Sequence, residues 1–213
     1  MIIFGTIVAL SESTLDENLL VVGTDDGLVQ ITNDGGNSWM KIDNIPGAPY
    51  QSYVNSVFTS HHDKNRIYVA FNHHKYGDFK PYVFMTEDMG NTWKSISSNL
   101  PSRGSVYAIE EDHIDSGLIF CGTEFGVFFS PNNGKTWKQL SNGLPTIAVR
   151  DIAIQRDMND LVLGTFGRGF YVLDDYSHLR TIENKKITQK AMILSTREAI
   201  KWEKANPLGI PGK

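Results

Sequence analysis

Asp34 and Asp88 hold the same place in two nearly identical octapeptides, TNDGGNSW at Thr32–Trp39 and TEDMGNTW at Thr86–Trp93. A carboxylate two residues after one hydroxyl and four before another could act as a general base or a metal ligand. It could also accept the backbone N–H groups of its own tight turn. The third copy, SPNNGKTW at Ser130–Trp137, separates these readings, because Asn132 stands where the acid should be. An amide accepts a turn's hydrogen bonds but cannot abstract a proton, so the structural role fits all three copies. Gly36, Gly90 and Gly134 supply the positive φ that a Cβ would penalise. Trp39, Trp93 and Trp137 each place a large apolar ring after the hairpin, and all three are expected to be buried between sheets.

The octapeptides start 54 and then 44 residues apart, which marks a modular array. Around each one the same series of short strands follows from alternation and turn signals. The first unit reads TIVALSES, LLVVGT, GLVQIT, octapeptide, WMKI. The second reads SVFTS, RIYVAF, YVFMT, octapeptide, WKSI. The third reads VYAIEE, LIFCGT, GVFFS, octapeptide, WKQL. A fourth gives VRDIAIQ, DLVLGT and GFYVLDD and then loses the octapeptide, with Asp174 and Asp175 expected to take over its turn chemistry. Four short antiparallel strands per unit, joined by Pro-containing connectors, describe β-propeller blades. The expected fold is all-β: about four four-stranded antiparallel blades forming a partial propeller over 1–176, then an irregular tail and linker over 177–213. In that tail either Ala191–Leu194 or Ala199–Trp202 could complete the last blade, while Thr196–Lys204 could equally form a short helix.

Strand order sorts the loops into two faces. The octapeptides occupy the turns between third and fourth strands and share one face with the first-to-second turns. The second-to-third turns lie on the other: Asp25-Asp26, His73–Lys80, Glu124-Phe125 and Phe166–Arg168. These are equivalent places in successive blades and are expected to converge on one rim. The second turn is the longest, with His73, His74, Lys75, Tyr76, Asp78, Phe79 and Lys80 as candidate recognition groups. Phe166 and Arg168 join them: the glycines flanking the arginine leave it open to anions, and equally it could pair with Asp174 or Glu124. Adjacent histidines rarely address one ion, so neither a metal nor a cofactor is expected. His61-His62 falls on the octapeptide face and is expected to be a surface turn.

Composition narrows the function classes. The chain has 213 residues, net charge −4 and a pI near 5.8, with no run of Lys or Arg, which argues against nucleic acid. No apolar stretch approaches the roughly 20 residues that span a bilayer. Cys121, the only cysteine, occupies the place of Val22 and Leu163 in the repeats and reads as a core residue. The opening MIIFGTIVAL lacks a basic lead and matches the first strand of later units, so it reads as structure rather than a signal peptide.

The octapeptide resembles the Asp-box, or bacterial neuraminidase (BNR) repeat, of sialidases, sortilin-type receptors and xyloglucan-cleaving propellers. VGTDDGLVQITNDGGNSW, DFKPYVFMTEDMGNTW, CGTEFGVFFSPNNGKTW and GTFGRGFYVLDD resemble the last blades of sortilin-like proteins, many called glycosyl hydrolases by similarity. The resemblance implies a longer propeller of which this chain holds the final blades. Its partners would then be the missing blades or a second copy of itself, and it would be exported to the periplasm or cell surface. It leaves three functions open: a module binding peptide, protein or carbohydrate, a glycoside hydrolase, or a structural spacer. A hydrolase needs two carboxylates roughly 5 to 10 Å apart, and Asp25, Asp26, Asp78 and Glu124 are the candidates. The arginine triad and Tyr/Glu pair of sialidases have no counterpart, since the seven arginines are scattered.

Overall fold

A computed structural model describes residues 5–182 together with Arg197 and Glu198. The sequence runs Ala191–Leu194, Ala199–Trp202 and most of Thr196–Lys204 lie outside the described residues. The described chain is four antiparallel sheets. Blade 1 is β1 (Ile7–Glu12), β2 (Leu20–Thr24), β3 (Val29–Thr32) and β4 (Met40–Ile42). Blade 2 is β5 (Tyr53–Thr59), β6 (Ile67–His73), β7 (Asp78–Thr86) and β8 (Lys94–Ser95). Blade 3 is β9 (Val106–Glu111), β10 (Ile119–Thr123), β11 (Gly126–Ser130) and β12 (Lys138–Leu140). Blade 4 has three described strands, β13 (Val149–Gln155), β14 (Asp160–Thr165) and β15 (Phe170–Leu173). The sheets do not close into a ring, so the fold is a partial β-propeller, as the repeat implied.

Three apolar clusters lie between successive blades. One joins Val21, Val29 and Ile31 to Val54, Val57 and Phe84; the next joins Tyr68, Val83 and Met85 to Ile109, Cys121 and Phe128; the third joins Phe120, Val127 and Phe129 to Ile152, Leu161 and Leu163. Cys121 is fully buried, and burial pushes its thiol well above the ordinary range. The glycine before the last residue of β2 and β10 lets the next inner strand close in. A Cβ on Gly23 would stand 2.3 Å from Val54 Cγ1, and one on Gly122 would stand 2.7 Å from the Val149 carbonyl. The two ends of the arc have no described neighbour, and apolar side chains face outward there: Ile7 (60 % exposed) and Leu10 (66 %) on blade 1, Phe170 (79 %) and Val172 (56 %) on blade 4.

Candidate functional site

The octapeptides form the hairpins that their chemistry requires. In the first, Asp34 Oδ1 accepts from Thr32 Oγ1 (2.8 Å) and Ser38 N (2.9 Å), Oδ2 accepts from Ser38 Oγ (2.6 Å), and Thr32 Oγ1 accepts from Gly36 N. The second repeats this with Asp88, Thr86, Thr92 and Gly90. In the third, Asn132 Oδ1 takes Ser130 Oγ and Thr136 N, while Gly134 N donates to Ser130 Oγ. Gly36, Gly90 and Gly134 have φ of 93°, 88° and 76°. Ser38's hydroxyl, then its N–H, then Thr32's hydroxyl hold the Asp34 carboxyl down to about 2, so it is an occupied acceptor rather than a base.

The expectation that all three tryptophans are buried fails for one of them. Trp137 is 4 % exposed and packs with Ile96 of blade 2, and Trp93 packs partly buried in the cluster between blades 1 and 2. Trp39 is 40 % exposed. Trp93 and Trp137 pack on the preceding blade, and Trp39 has no preceding blade among the described residues.

At the octapeptide-side mouth of the channel, the surface turn expected at His61-His62 is instead a junction between blades. The His61 ring contacts Thr14 Oγ1 of blade 1 (3.0 Å), Glu110 of blade 3 (3.5 Å) and Arg156 of blade 4 (3.3 Å). Behind it, Glu111 has a fully buried side chain and accepts from Ser60 Oγ, His61 N and Tyr68 Oη. Asp112 is equally buried. Burial alone would raise its carboxyl, but Arg180, the Tyr176 hydroxyl and two backbone N–H groups outweigh that and lower it. The acidic run Glu110–Asp112 is therefore a cross-blade staple. Its signal in the sequence was three adjacent acids ending an otherwise apolar inner strand.

At the opposite mouth the second-to-third turns lie beside the entries to the inner strands. Asp25 N donates to Thr6 O, Glu124 N to Ser105 O and Phe166 N to Ala148 O, and His73 Nδ1 contacts Ser52 Oγ at 3.0 Å. The turn expected over His73–Lys80 is tighter than the sequence implied. His73 ends β6, a single 3-10 turn covers His74–Tyr76, and Asp78, Phe79 and Lys80 belong to β7. Tyr76 stacks on His73 at 4.4 Å. Three of the four candidate carboxylates are committed to local turns. Asp25 Oδ1 accepts from Gly5 N and Thr6 N, Asp26 accepts from the Thr24 hydroxyl, and Asp78 accepts from Tyr82 Oη (2.6 Å) and Lys80 N. The Tyr82 bond is the main reason Asp78's carboxyl is lowered. Glu124 and Arg168 have no side-chain hydrogen bond or ion pair among the described residues.

One hollow at this mouth is built from residues that strand alternation alone does not mark. Each inner strand slips register once, near its start. Ile7 and Ala9 face Thr24 and Gly23, Val54 and Ser56 face Phe71 and Ala70, Val106 and Ala108 face Thr123 and Gly122, Val149 and Asp151 face Thr165 and Gly164. The unpaired residues are Val8, Asn55, Tyr107 and Arg150, one in each blade. A β-bulge re-aims the side chain it frees, and here Asn55, Tyr107 and Arg150 line one hollow of about 340 Å³ with Tyr53, Asn72, His74 and Lys75. The Arg150 guanidinium lies 3.7 Å from the Tyr107 ring centroid and 5.4 Å from that of Phe166, and it makes no ion pair among the described residues. Two aromatic faces fix the fork while its donors remain free. Burial raises the Tyr107 phenol above its ordinary value, with Arg150 opposing and Glu124 adding, so it stays a neutral donor. Asn72 and Asn55 bond to each other and to backbone, forming a polar floor. Of the sequence candidates, His74 and Lys75 line the hollow, and Phe166 stacks on its Arg150. His73, Tyr76, Asp78 and Lys80 belong to the same turn and flanking strands of blade 2 but do not line the hollow, and Arg168 is on the equivalent turn of blade 4. A signal was present: a polar or aromatic residue immediately follows the first valine of three inner strands.

The fold has many solved counterparts. YCF48 bound to D1 peptide superposes with a TM-score of 0.60 at 18 % identity, covering 80 % of this chain and 52 % of that one. The GH74 enzyme of Niastella koreensis gives 0.64 at 11 % identity over 80 % of this chain and 29 % of its own. The β-propeller domain of Cps50 (Swd1) from Myceliophteria thermophila gives 0.59 at 9 % identity over 88 % and 55 %. The chain thus spans about half, or less, of the propellers it matches. At these identities the likeness is one of fold. No family model matches the chain, and no curated protein matches it.

Proposed function

We propose that this chain is a binding scaffold that takes peptide, protein or glycan at the channel mouth opposite the octapeptide hairpins. The observation that carries the reading is the set of inner-strand bulges, which place Asn55, Tyr107 and Arg150 in one hollow. Bulges at one register place in every blade are a costly way to build a sheet unless the freed side chains have a use. A free guanidinium held between aromatic rings, beside Lys75, His74 and amides, offers charge, stacking and hydrogen bonding together. His73, Tyr76, Asp78, Lys80, Phe166 and Arg168 would form the rim of that site. YCF48, one fold neighbour, is described with a bound peptide, which supports the use of such a scaffold for recognition.

Binding is favoured over glycoside hydrolysis by the state of the carboxylates. Asp25, Asp26 and Asp78 serve turn N–H and hydroxyl groups, which leaves Glu124 without an evident partner acid. The octapeptide chemistry supports the finer assignment as Asp-box repeats of a sortilin-like propeller. The outward apolar faces of blades 1 and 4 favour further blades or another copy as neighbours. Export to the periplasm or cell surface belongs to the same reading.

The test is selection of ligands by the full chain from a displayed random-peptide library and from a glycan array. Ligands that lose at least about tenfold in affinity to Arg150→Ala and Tyr107→Ala, the cost of about 1.4 kcal/mol, support the site. Selected ligands indifferent to both variants would place recognition elsewhere.

A further inference from the structure

Four times in this chain an Asp or Asn precedes a glycine: Asp26-Gly27, Asp34-Gly35, Asn133-Gly134 and Asn142-Gly143. Such pairs are open to intramolecular attack, because a glycine nitrogen carries no Cβ alongside it as it swings onto the preceding side-chain carbonyl. The attack needs that nitrogen free of hydrogen bonds and the turn free to deform. Three of the four are held. Gly27 N donates to Thr24 O (3.3 Å), Gly35 N to Asn18 O (3.1 Å) and Gly134 N to Ser130 Oγ (2.8 Å). Gly134 is also buried against Ile96, and Asn133 is held at a φ of 57°. Asn142-Gly143 is different. Both residues are exposed at the centre of a turn, and the Gly143 N–H has no acceptor among the described residues. A Cβ on Gly143 would meet nothing within 4 Å.

The connectors between blades explain this freedom. Aligned on their prolines, residues 43–46, 98–101 and 142–145 carry Asn44, Asn99 and then Gly143 at the second place. Asn99 clamps the next blade: its Nδ2 donates to Trp137 O (3.0 Å), and its Oδ1 accepts from Trp137 N (2.7 Å). Blade 4 lacks the octapeptide and its tryptophan, and Gly143 stands where an asparagine would hold one.

We propose that Asn142 is a self-modification site, at which the chain deamidates without an enzyme. Gly143 N gives its proton to water or hydroxide and bonds to Asn142 Cγ. The Cγ–Nδ2 bond then breaks, and the side-chain nitrogen leaves as ammonia. Water opens the resulting cyclic imide at either carbonyl, which leaves aspartate or isoaspartate. Either product adds a negative charge to the connector, and isoaspartate also adds a carbon to its main chain. Both changes fall beside Leu144, which packs in the apolar cluster between blades 3 and 4.

Peptide mapping by mass spectrometry of the full chain, held folded in mildly alkaline buffer, follows each asparagine separately. Asn142 should convert to aspartate and isoaspartate at least about tenfold faster than Asn133, since an opening cost of about 1.4 kcal/mol at the held turn slows attack by that factor. In the chain unfolded by urea the two pairs should convert at similar rates, because both glycine nitrogens are then free. An unchanged Asn142, or equal conversion of the two pairs in the folded chain, would overturn the proposal. A difference that persists in urea would overturn it too, by assigning the rate to the neighbouring residues rather than to the fold.

Discussion

Trp137 donates its indole N–H to the carbonyl of Ile96, 2.7 Å away in the preceding blade, so the residue that closes one hairpin also fastens two blades. Trp39, at the same place in blade 1, donates to its own Gly36 carbonyl and remains 40 % exposed. Truncation should separate the two. Trp137→Ala is expected to cost about 3–5 kcal/mol, the range for a large buried aromatic. Trp39→Ala should stay within about 1 kcal/mol, as at surface positions. Urea unfolding followed by circular dichroism measures both, and equal losses would show that blade 1 has a cover in solution.

Gly134 tests the same interface from the backbone side. Its φ of +76° is close to the +78° of Gly77, but a Cβ on Gly134 would stand 2.6 Å from Ile96 Cβ, whereas one on Gly77 meets nothing within 4 Å. Gly77→Ala should therefore cost only the left-handed backbone penalty, about 1–2 kcal/mol. Gly134→Ala should add an overpacking cost of about 1–3 kcal/mol to that. Similar losses in the two variants, by the same unfolding assay, would remove the close blade contact from the account.

The hairpin carboxylates predict an acid limb of stability. Asp34 is held down to about 2 from an ordinary value of 3.8, and Asp88 shifts the same way, each chiefly through the hydroxyl four residues on. A carboxyl lowered in the folded state contributes its full stabilisation above its unfolded value. That contribution is lost as pH falls through the folded value, here between about pH 4 and pH 2. Thermal midpoints of the wild type should fall across that window. An Asp34→Asn/Asp88→Asn variant, which copies the amide that Asn132 supplies in the third hairpin, should fall less steeply there and show no corresponding change between pH 5 and 8.

Glu111 is the strongest staple at the octapeptide-side mouth. Removing a fully buried acid that serves Ser60, His61, Tyr68 and Arg66 strands its partners, so Glu111→Ala should cost about 3–5 kcal/mol. Chemical unfolding checks it, and a loss under about 1 kcal/mol, the level of an exposed pair, would contradict the burial argument.

Repetition made the architecture legible from the chain: three hairpin octapeptides fixed the blade period, and the glycines and hydroxyls within them have the geometry their types require. The tryptophans were harder to place because burial depends on the neighbouring blade, which Trp39 lacks among the described residues. The roles of His61 and Glu110–Asp112 were hidden because they depend on contacts between blades some 50 residues apart. The candidate site was half legible. The turns beside the mouth follow from strand order, but Asn55, Tyr107 and Arg150 reach the hollow through bulges, and strict alternation misassigns any residue a bulge re-aims.

The central claim concerns which mouth of the channel binds. Isothermal titration of a selected ligand against the wild type, Arg150→Ala, Tyr107→Ala and the octapeptide-face variant Asn91→Ala addresses it most directly. The two hollow variants should weaken binding at least about tenfold with the fold intact, a loss of about 1.4 kcal/mol or more, while Asn91→Ala leaves affinity unchanged. Loss of binding in Asn91→Ala, with Arg150→Ala and Tyr107→Ala binding as the wild type does, would contradict the account.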